Sequence, residues 1–274
     1  MTPSRSGWNA GANLVKTPIL GTPAHPEPPL AVAKAHRFSF QFVIAACLGF
    51  LLLTAIAMVT YHGGTLLNHG EAHYSFFGNF FSDLGRDRTY EGRPNSIPQA
   101  LFEIALTAIG FAQIVFFLAF SRLFPASGFR LLLRTFGTFA GLLSGLSFMA
   151  IAVTPIDVDL KWHLFWVFSA FRWVFVAVLI YGLLIPGERS FGRRYCALLF
   201  SLCALLGGYV ALLSFGPLPY SPTGLLIQVV GQKMIVYSCV TGTALQAYGA
   251  LSYLRRRENL DLTPELATGK FRRS

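Results

Sequence analysis

Few residues of this sequence could do chemistry, because only 12% of its 274 residues are charged and 54% are hydrophobic. Three charged side chains, Glu103, Arg172 and Lys233, nevertheless stand inside long apolar segments. A charge in the hydrocarbon layer of a membrane is costly, and it usually faces the interior of a helix bundle or a wet cavity. These three residues are therefore the first candidates for a binding site.

More polar side chains lie near the same ends of the apolar segments. Gln228 and Gln232 are four residues apart, a spacing that places both on one face of a helix that also carries Lys233. The whole group predicts a polar cavity open to the outside, with Arg172 and Lys233 as its floor. Its predicted ligand-binding residues are Ser82, Asp83, Glu103, Asp157, Asp159, His163, Arg172, Gln228, Gln232 and Lys233.

Two details leave alternatives open within this group. His163 and Arg172 are nine residues apart, which places them on opposite faces of one helix unless His163 lies in the preceding loop. Glu103 could also form a buried ion pair with Lys233 or Arg172. In that case the charges would be structural, and the protein would be a structural or partner-binding membrane protein without a ligand.

A metal site is the main alternative. His69 and His73 have the spacing that binds one zinc ion if their segment is helical, and His163 is predicted on the same side of the membrane. A bound metal lowers the pKa of its water and so supplies a nucleophile. In this alternative the protein would be a hydrolase of a lipid amide or ester. Asp83, Asp157 and His163 are then the candidate catalytic residues. The leading interpretation needs no cofactor.

The apolar segments themselves define the architecture. A membrane core about 30 Å thick requires roughly 20 apolar residues per helix, and six segments are that long. The sequence thus predicts an all-α, polytopic membrane protein with one six-helix domain over residues 38–257 and a long outer loop over residues 62–98. The predicted spans are Phe38–Tyr61, Gln99–Phe120, Leu132–Thr154, His163–Ile185, Tyr195–Phe215 and Gly224–Leu254.

The two ends of the chain and its charge complete this prediction. Residues 1–37 are rich in proline and predict a disordered tail, and residues 258–274 predict a flexible one. Of the 22 Lys and Arg residues, sixteen fall on the side of both tails and four on the side of the long loop. This bias predicts that both termini face the cytoplasm of a bacterial inner membrane. It also explains the net charge of +10 without a nucleic-acid partner.

Two short motifs carry a resemblance to a known family. Ser82-Asp83-Leu84-Gly85 precedes the second span, and Thr154-Pro155-Ile156-Asp157 ends the third span shortly before His163. This order resembles the bacterial six-span family described as domain of unknown function 998, which is similar to the eukaryotic DRAM, Frag and Sfk membrane proteins. The chain departs from the family pattern where Thr154 replaces an aromatic residue.

The resemblance would cover about residues 38–257 and implies a role in lipid handling, with which the eukaryotic relatives are associated. It directs attention to Ser82, Asp83, Gly85, Asp157 and His163. The leading hypothesis is an inner-membrane protein that binds or handles a lipid headgroup at the outer leaflet. Arg172 and Lys233 would neutralise an anionic headgroup, the Phe-rich loop would meet the acyl chains, and membrane lipids would be the partners.

Overall fold

The computed structural model describes residues 30–124, 126–185 and 191–268, with side chains from residue 35 to residue 256. These ranges contain six long α-helices and no strand, which confirms the all-α prediction. All six helices are long and apolar enough to cross a membrane, so the chain folds as a multi-pass membrane protein. The helices are α1 (Leu30–Thr60), α2 (Ser96–Ser121), α3 (Gly128–Ala152), α4 (Leu160–Leu184), α5 (Arg193–Phe215) and α6 (Pro222–Thr268).

The six helices form a closed ring. Each helix packs against the next one along the chain, and α1 also packs against α6. The chain reverses direction at each connection, so one end of the ring carries residues 61–95, the α3–α4 turn and the α5–α6 turn. We call this the loop end. Which side of the membrane the loop end faces stays a prediction from the basic residues.

Helix ends differ from the predicted spans at both termini. α1 begins at Leu30, inside the segment predicted to be a disordered tail up to residue 37. α6 continues to Thr268, well beyond Leu254 and through most of the segment predicted to be a flexible tail. Residues 1–29 and 269–274 of the predicted tails lie outside the described residues. Apolarity ends where the hydrocarbon layer would end, whereas helical hydrogen bonding can continue beyond it.

Glycines permit a close contact between α2 and α3. Gly145 on α3 faces Gly110 on α2, where a Cβ atom built on Gly145 would lie 2.6 Å from the Gly110 carbonyl oxygen. Gly137, Gly141 and Gly145 recur every four residues on α3, a pattern of small residues that lets helix backbones approach. The structure brings this stripe against α2 and α4.

The long loop folds over the end of the ring. A short 3-10 helix, Phe81–Gly85, is buried along its whole length and packs against α1, α2 and α6. Gly85 lies on the ring of Phe102, which a Cβ atom at this position would approach to 2.6 Å. The segment that connects α1 to α2 is thus a lid on the helix ring.

Candidate functional site

Asp83 is the centre of the lid. It is fully buried, and its carboxyl group accepts hydrogen bonds from the Asn79 amide at 3.0 Å, the Phe80 backbone N–H at 2.9 Å and the Tyr90 hydroxyl at 3.0 Å. Burial raises the pKa of Asp83 above its ordinary value, while the hydrogen bonds and the nearby Arg86 charge act to lower it. Three converging donors fix the carboxyl group in place.

Lys233 connects the lid to α6. Its side chain is 3% exposed, and its ammonium group donates a hydrogen bond to the Asn79 carbonyl oxygen. The same ammonium lies 5.3, 5.1 and 5.6 Å from the ring centres of Tyr74, Phe76 and Phe81. Aromatic faces attract a desolvated cation at these distances. The partners of Lys233 are therefore groups of the protein itself. The sequence predicted it as the floor of an open polar cavity, and the structure instead places it against the lid.

Three further hydrogen bonds hold the lid. Gln232 accepts the Phe81 backbone N–H at 2.7 Å. On the other side of the ring, Asp157 accepts the backbone N–H groups of Asp87 and Arg88 at 3.0 and 2.9 Å. The long loop is thus tied to α6 and to the α3–α4 turn at the same time.

His163 lies inside the ring, near the loop end of α4. It is 2% exposed, and its Nδ1 is 2.7 Å from the Thr154 carbonyl oxygen. A carbonyl oxygen only accepts, so Nδ1 carries the hydrogen, and in the neutral ring Nε2 is an acceptor. Asp83, Asp157 and His163 each bind different partners, and within the described residues no hydrogen bond joins them to one another.

Arg172, predicted as the floor of the cavity, points away from the interior of the ring. Arg172 is exposed on the outside of the ring, where its guanidinium lies 5.0 Å from the ring centre of Phe168. The nine-residue separation from His163 explains this, since His163 faces the interior and Arg172 faces the opposite way.

The alternative in which Glu103 pairs with Lys233 or Arg172 has no ion pair behind it among the described side chains. Glu103 is half-buried and accepts a hydrogen bond from Gln99 one turn earlier on α2, at 3.0 Å. Gln228 donates to the Pro217 carbonyl at 2.9 Å in the α5–α6 turn, and Asp159 accepts from the Trp162 N–H at 3.1 Å as the N-cap of α4. These contacts close turns and helix ends.

The predicted zinc ligands do not converge. His69 and His73 lie in irregular loop rather than in a helix, so their spacing does not bring their rings together. His69 stacks on Tyr90 with ring centres 5.5 Å apart, His73 contacts His62, and His163 is inside the ring. Among the side chains that the structure describes, no group of three His, Cys, Asp or Glu residues could hold a metal ion.

A cavity occupies the middle of the ring beneath the lid. Ser82, His163 and Gln232 supply polar groups at its loop end, and Gln113, Cys239 and Thr243 supply them deeper in the bundle. We call it the loop-end cavity. The rest of its described wall is hydrophobic: Phe50, Phe81, Phe102, Leu106, Ile109, Phe148, Ile151, Val167, Phe171, Val236 and Val240.

The wall of this cavity differs from the prediction in two ways. Of the ten predicted ligand-binding residues, the cavity is lined by Ser82, His163 and Gln232. The described wall contains no Asp, Glu, Lys or Arg side chain. The predicted polar cavity is thus a largely apolar one, with a few polar groups at its loop end and a few deeper in the bundle. The apolar wall residues were missed because their sequence pattern is the same as that of any core residue.

The chain was compared with protein-family models, with curated proteins and with solved structures, and none of the three comparisons finds a match. The functional interpretation therefore rests on the fold and the cavity.

Proposed function

We propose that this membrane protein binds a lipid with a small, uncharged head group. The observation that carries the proposal is the loop-end cavity, whose long apolar wall ends at Ser82, His163 and Gln232. An apolar chain would lie along the wall, and the head group would take hydrogen bonds at the polar end. Ligand sites of this kind combine a mostly apolar lining with a few placed polar groups.

The charges of the structure support an uncharged head group. Lys233 already binds the Asn79 carbonyl and three aromatic rings, and Arg172 lies outside the ring. Neither is placed to neutralise an anionic group in the cavity. The hydroxyl of Ser82 and the acceptor nitrogen of His163 suit a head group that both accepts and donates hydrogen bonds.

The sequence motifs agree with this proposal. Ser82 and His163 belong to the two segments that resemble the family whose eukaryotic relatives are associated with lipid handling. Both residues line the loop-end cavity. Asp83 and Asp157, from the same segments, hold the lid that covers the cavity.

Lipid extracted from the purified protein tests the proposal. Val167 is 8% exposed and lines the cavity, so Val167→Phe places a ring in the space for the ligand. We expect mass spectrometry to detect one neutral lipid with the wild-type protein, and several-fold less with Val167→Phe. Val59→Phe is the matched control, because Val59 is 79% exposed on α1.

Equal lipid content in the wild type and in a folded Val167→Phe variant would overturn the proposal. Equal loss in Val59→Phe would do the same, since the lipid would then be bound on the outside. Should Val167→Phe fail to fold, Val236→Phe fills the same cavity from α6.

A further inference from the structure

A second cavity lies deeper in the ring, away from the lid. It shares Gln113, Phe148, Cys239 and Thr243 with the loop-end cavity, so the two spaces adjoin. Its far end reaches Gln246, which follows Gln232 by fourteen residues on α6 and so lies about 21 Å further along that helix. The second cavity therefore extends inside the bundle toward the end of the ring opposite the lid.

Polar atoms without partners line this second cavity. Gln246 is 1% exposed, and its Nε2 donates to the Tyr195 carbonyl oxygen at 2.8 Å. Since a carbonyl only accepts, this bond fixes the orientation of the amide and leaves Oε1 as an acceptor. In the described part of the chain, this Oε1 is buried without a hydrogen-bond partner, and so is Nε2 of Gln113.

Thr243 adds a third group to the same wall. It lies between the two cavities, one turn before Gln246 on α6. Threonines elsewhere in these helices, such as Thr54 and Thr241, bond to the carbonyl four residues earlier. The Thr243 hydroxyl makes no such bond within the described helices, so it is available to an occupant of the cavity.

Unpaired polar groups inside the ring need an explanation. A buried polar atom without a hydrogen bond costs about 1–3 kcal/mol, and membrane lipid offers no partner. Leucine would fill both glutamine positions without that cost. The wall offers a donor at Gln113, an acceptor at Gln246 and a hydroxyl at Thr243, a set that matches a group able both to donate and to accept.

We propose that the second cavity is a binding subsite for a hydroxyl group, held by Gln113, Thr243 and Gln246. The hydroxyl belongs either to bound water or to a lipid that carries it along its chain. The lipid source rests on the function proposed above, because the chain would enter from the loop-end cavity. The water source is independent of that function.

Two measurements distinguish the sources. A diacylglycerol with a hydroxyl in the middle of one chain competes with its unsubstituted counterpart, and native mass spectrometry measures the bound ratio. X-ray hydroxyl-radical footprinting of delipidated protein then reports water next to Phe117 and Tyr181, which line the cavity and are 4% and 2% exposed. We expect a several-fold preference for the hydroxylated lipid, or clear labelling of these two rings, or both.

Variants connect the signal to the subsite. Gln113→Leu and Thr243→Val remove polar groups that form no hydrogen bond with the described residues, so neither variant breaks a hydrogen bond within the protein. Each should reduce the preference or the labelling several-fold. Gln41→Leu is the control, since Gln41 is exposed on α1. Thr243→Val, which keeps the shape of the side chain, serves if Gln113→Leu does not fold.

The outcomes separate this subsite from the proposed function. Labelling without any bound lipid supports the subsite and removes the lipid function. A lipid preference that both variants abolish supports both the subsite and the lipid function. The subsite is overturned if neither signal exists, or if both signals persist in Gln113→Leu and Thr243→Val, or if Gln41→Leu loses them equally.

Discussion

Three donors converge on the carboxyl group of Asp83, and none of them could be identified from its own position in the sequence. Asn79, Phe80 and Tyr90 reach it from both sides along the loop. A carboxyl group without water depends on such donors, because burial alone disfavours its charged form. Asp83 therefore holds the lid in place, and the polar groups at the loop end of the cavity beneath it are Ser82, His163 and Gln232.

Tyr90→Phe tests this role at the scale of a single residue. The change removes the hydroxyl that donates to Asp83 Oδ1 and leaves a buried carboxyl group with one bond fewer. We expect the free energy of unfolding to fall by about 1–3 kcal/mol, measured by the thermal transition in detergent. Tyr220→Phe, at a tyrosine that is 72% exposed in the α5–α6 turn, should change it little. Equal transitions for the two variants would contradict the role of Asp83.

At the scale of the element, the lid and the α2–α3 contact depend on close approach. Gly85 leaves room for the ring of Phe102 under the lid, and Gly145 lets the backbones of α2 and α3 meet at Gly110. In lipid, helices associate through such packing, since lipid chains are as apolar as leucine. A methyl group at these contacts has no space without a shift of a helix.

Gly145→Ala tests the α2–α3 contact. The new Cβ atom would lie 2.6 Å from the Gly110 carbonyl oxygen, so the helices must separate or the backbone must bend. We expect a loss of about 1–3 kcal/mol in stability, the range typical of overpacking, measured by thermal unfolding. The matched control is Gly49→Ala on α1, where a Cβ atom meets nothing within 4 Å. A Gly145→Ala variant as stable as this control would show that α2 and α3 are not tightly packed.

At the scale of the whole molecule, the ring determines what its charges can do. Most basic residues lie at the two tails and the connections between helices, where they predict orientation rather than binding. The described ring encloses a largely apolar space, with Lys233 sealed beneath the lid. The polar groups that line this space are therefore few and carry no Asp, Glu, Lys or Arg charge.

Cysteine labelling tests the predicted orientation. Glu71→Cys places a thiol on the exposed surface of the lid, and Ser127→Cys places one at the opposite end of the ring. In intact bacterial cells an impermeant maleimide should label Glu71→Cys, and it should label Ser127→Cys only after lysis. The parent protein, with its four cysteines in the spans, gives the background. The reverse pattern would place both termini outside.

The sequence by itself determined the six spans, because a segment of about 20 apolar residues has few alternatives to a membrane helix. It also drew attention to Ser82, His163 and Gln232, which line the loop-end cavity, since polar side chains at the ends of apolar segments are conspicuous. Only the tertiary structure decided which charged side chains bond to other groups of the protein and which face outward. Lys233 bonds to Asn79, 154 positions away in the chain, and Arg172 faces outward. Such contacts depend on how the helices and the loop pack in space, which spacing along one helix cannot specify.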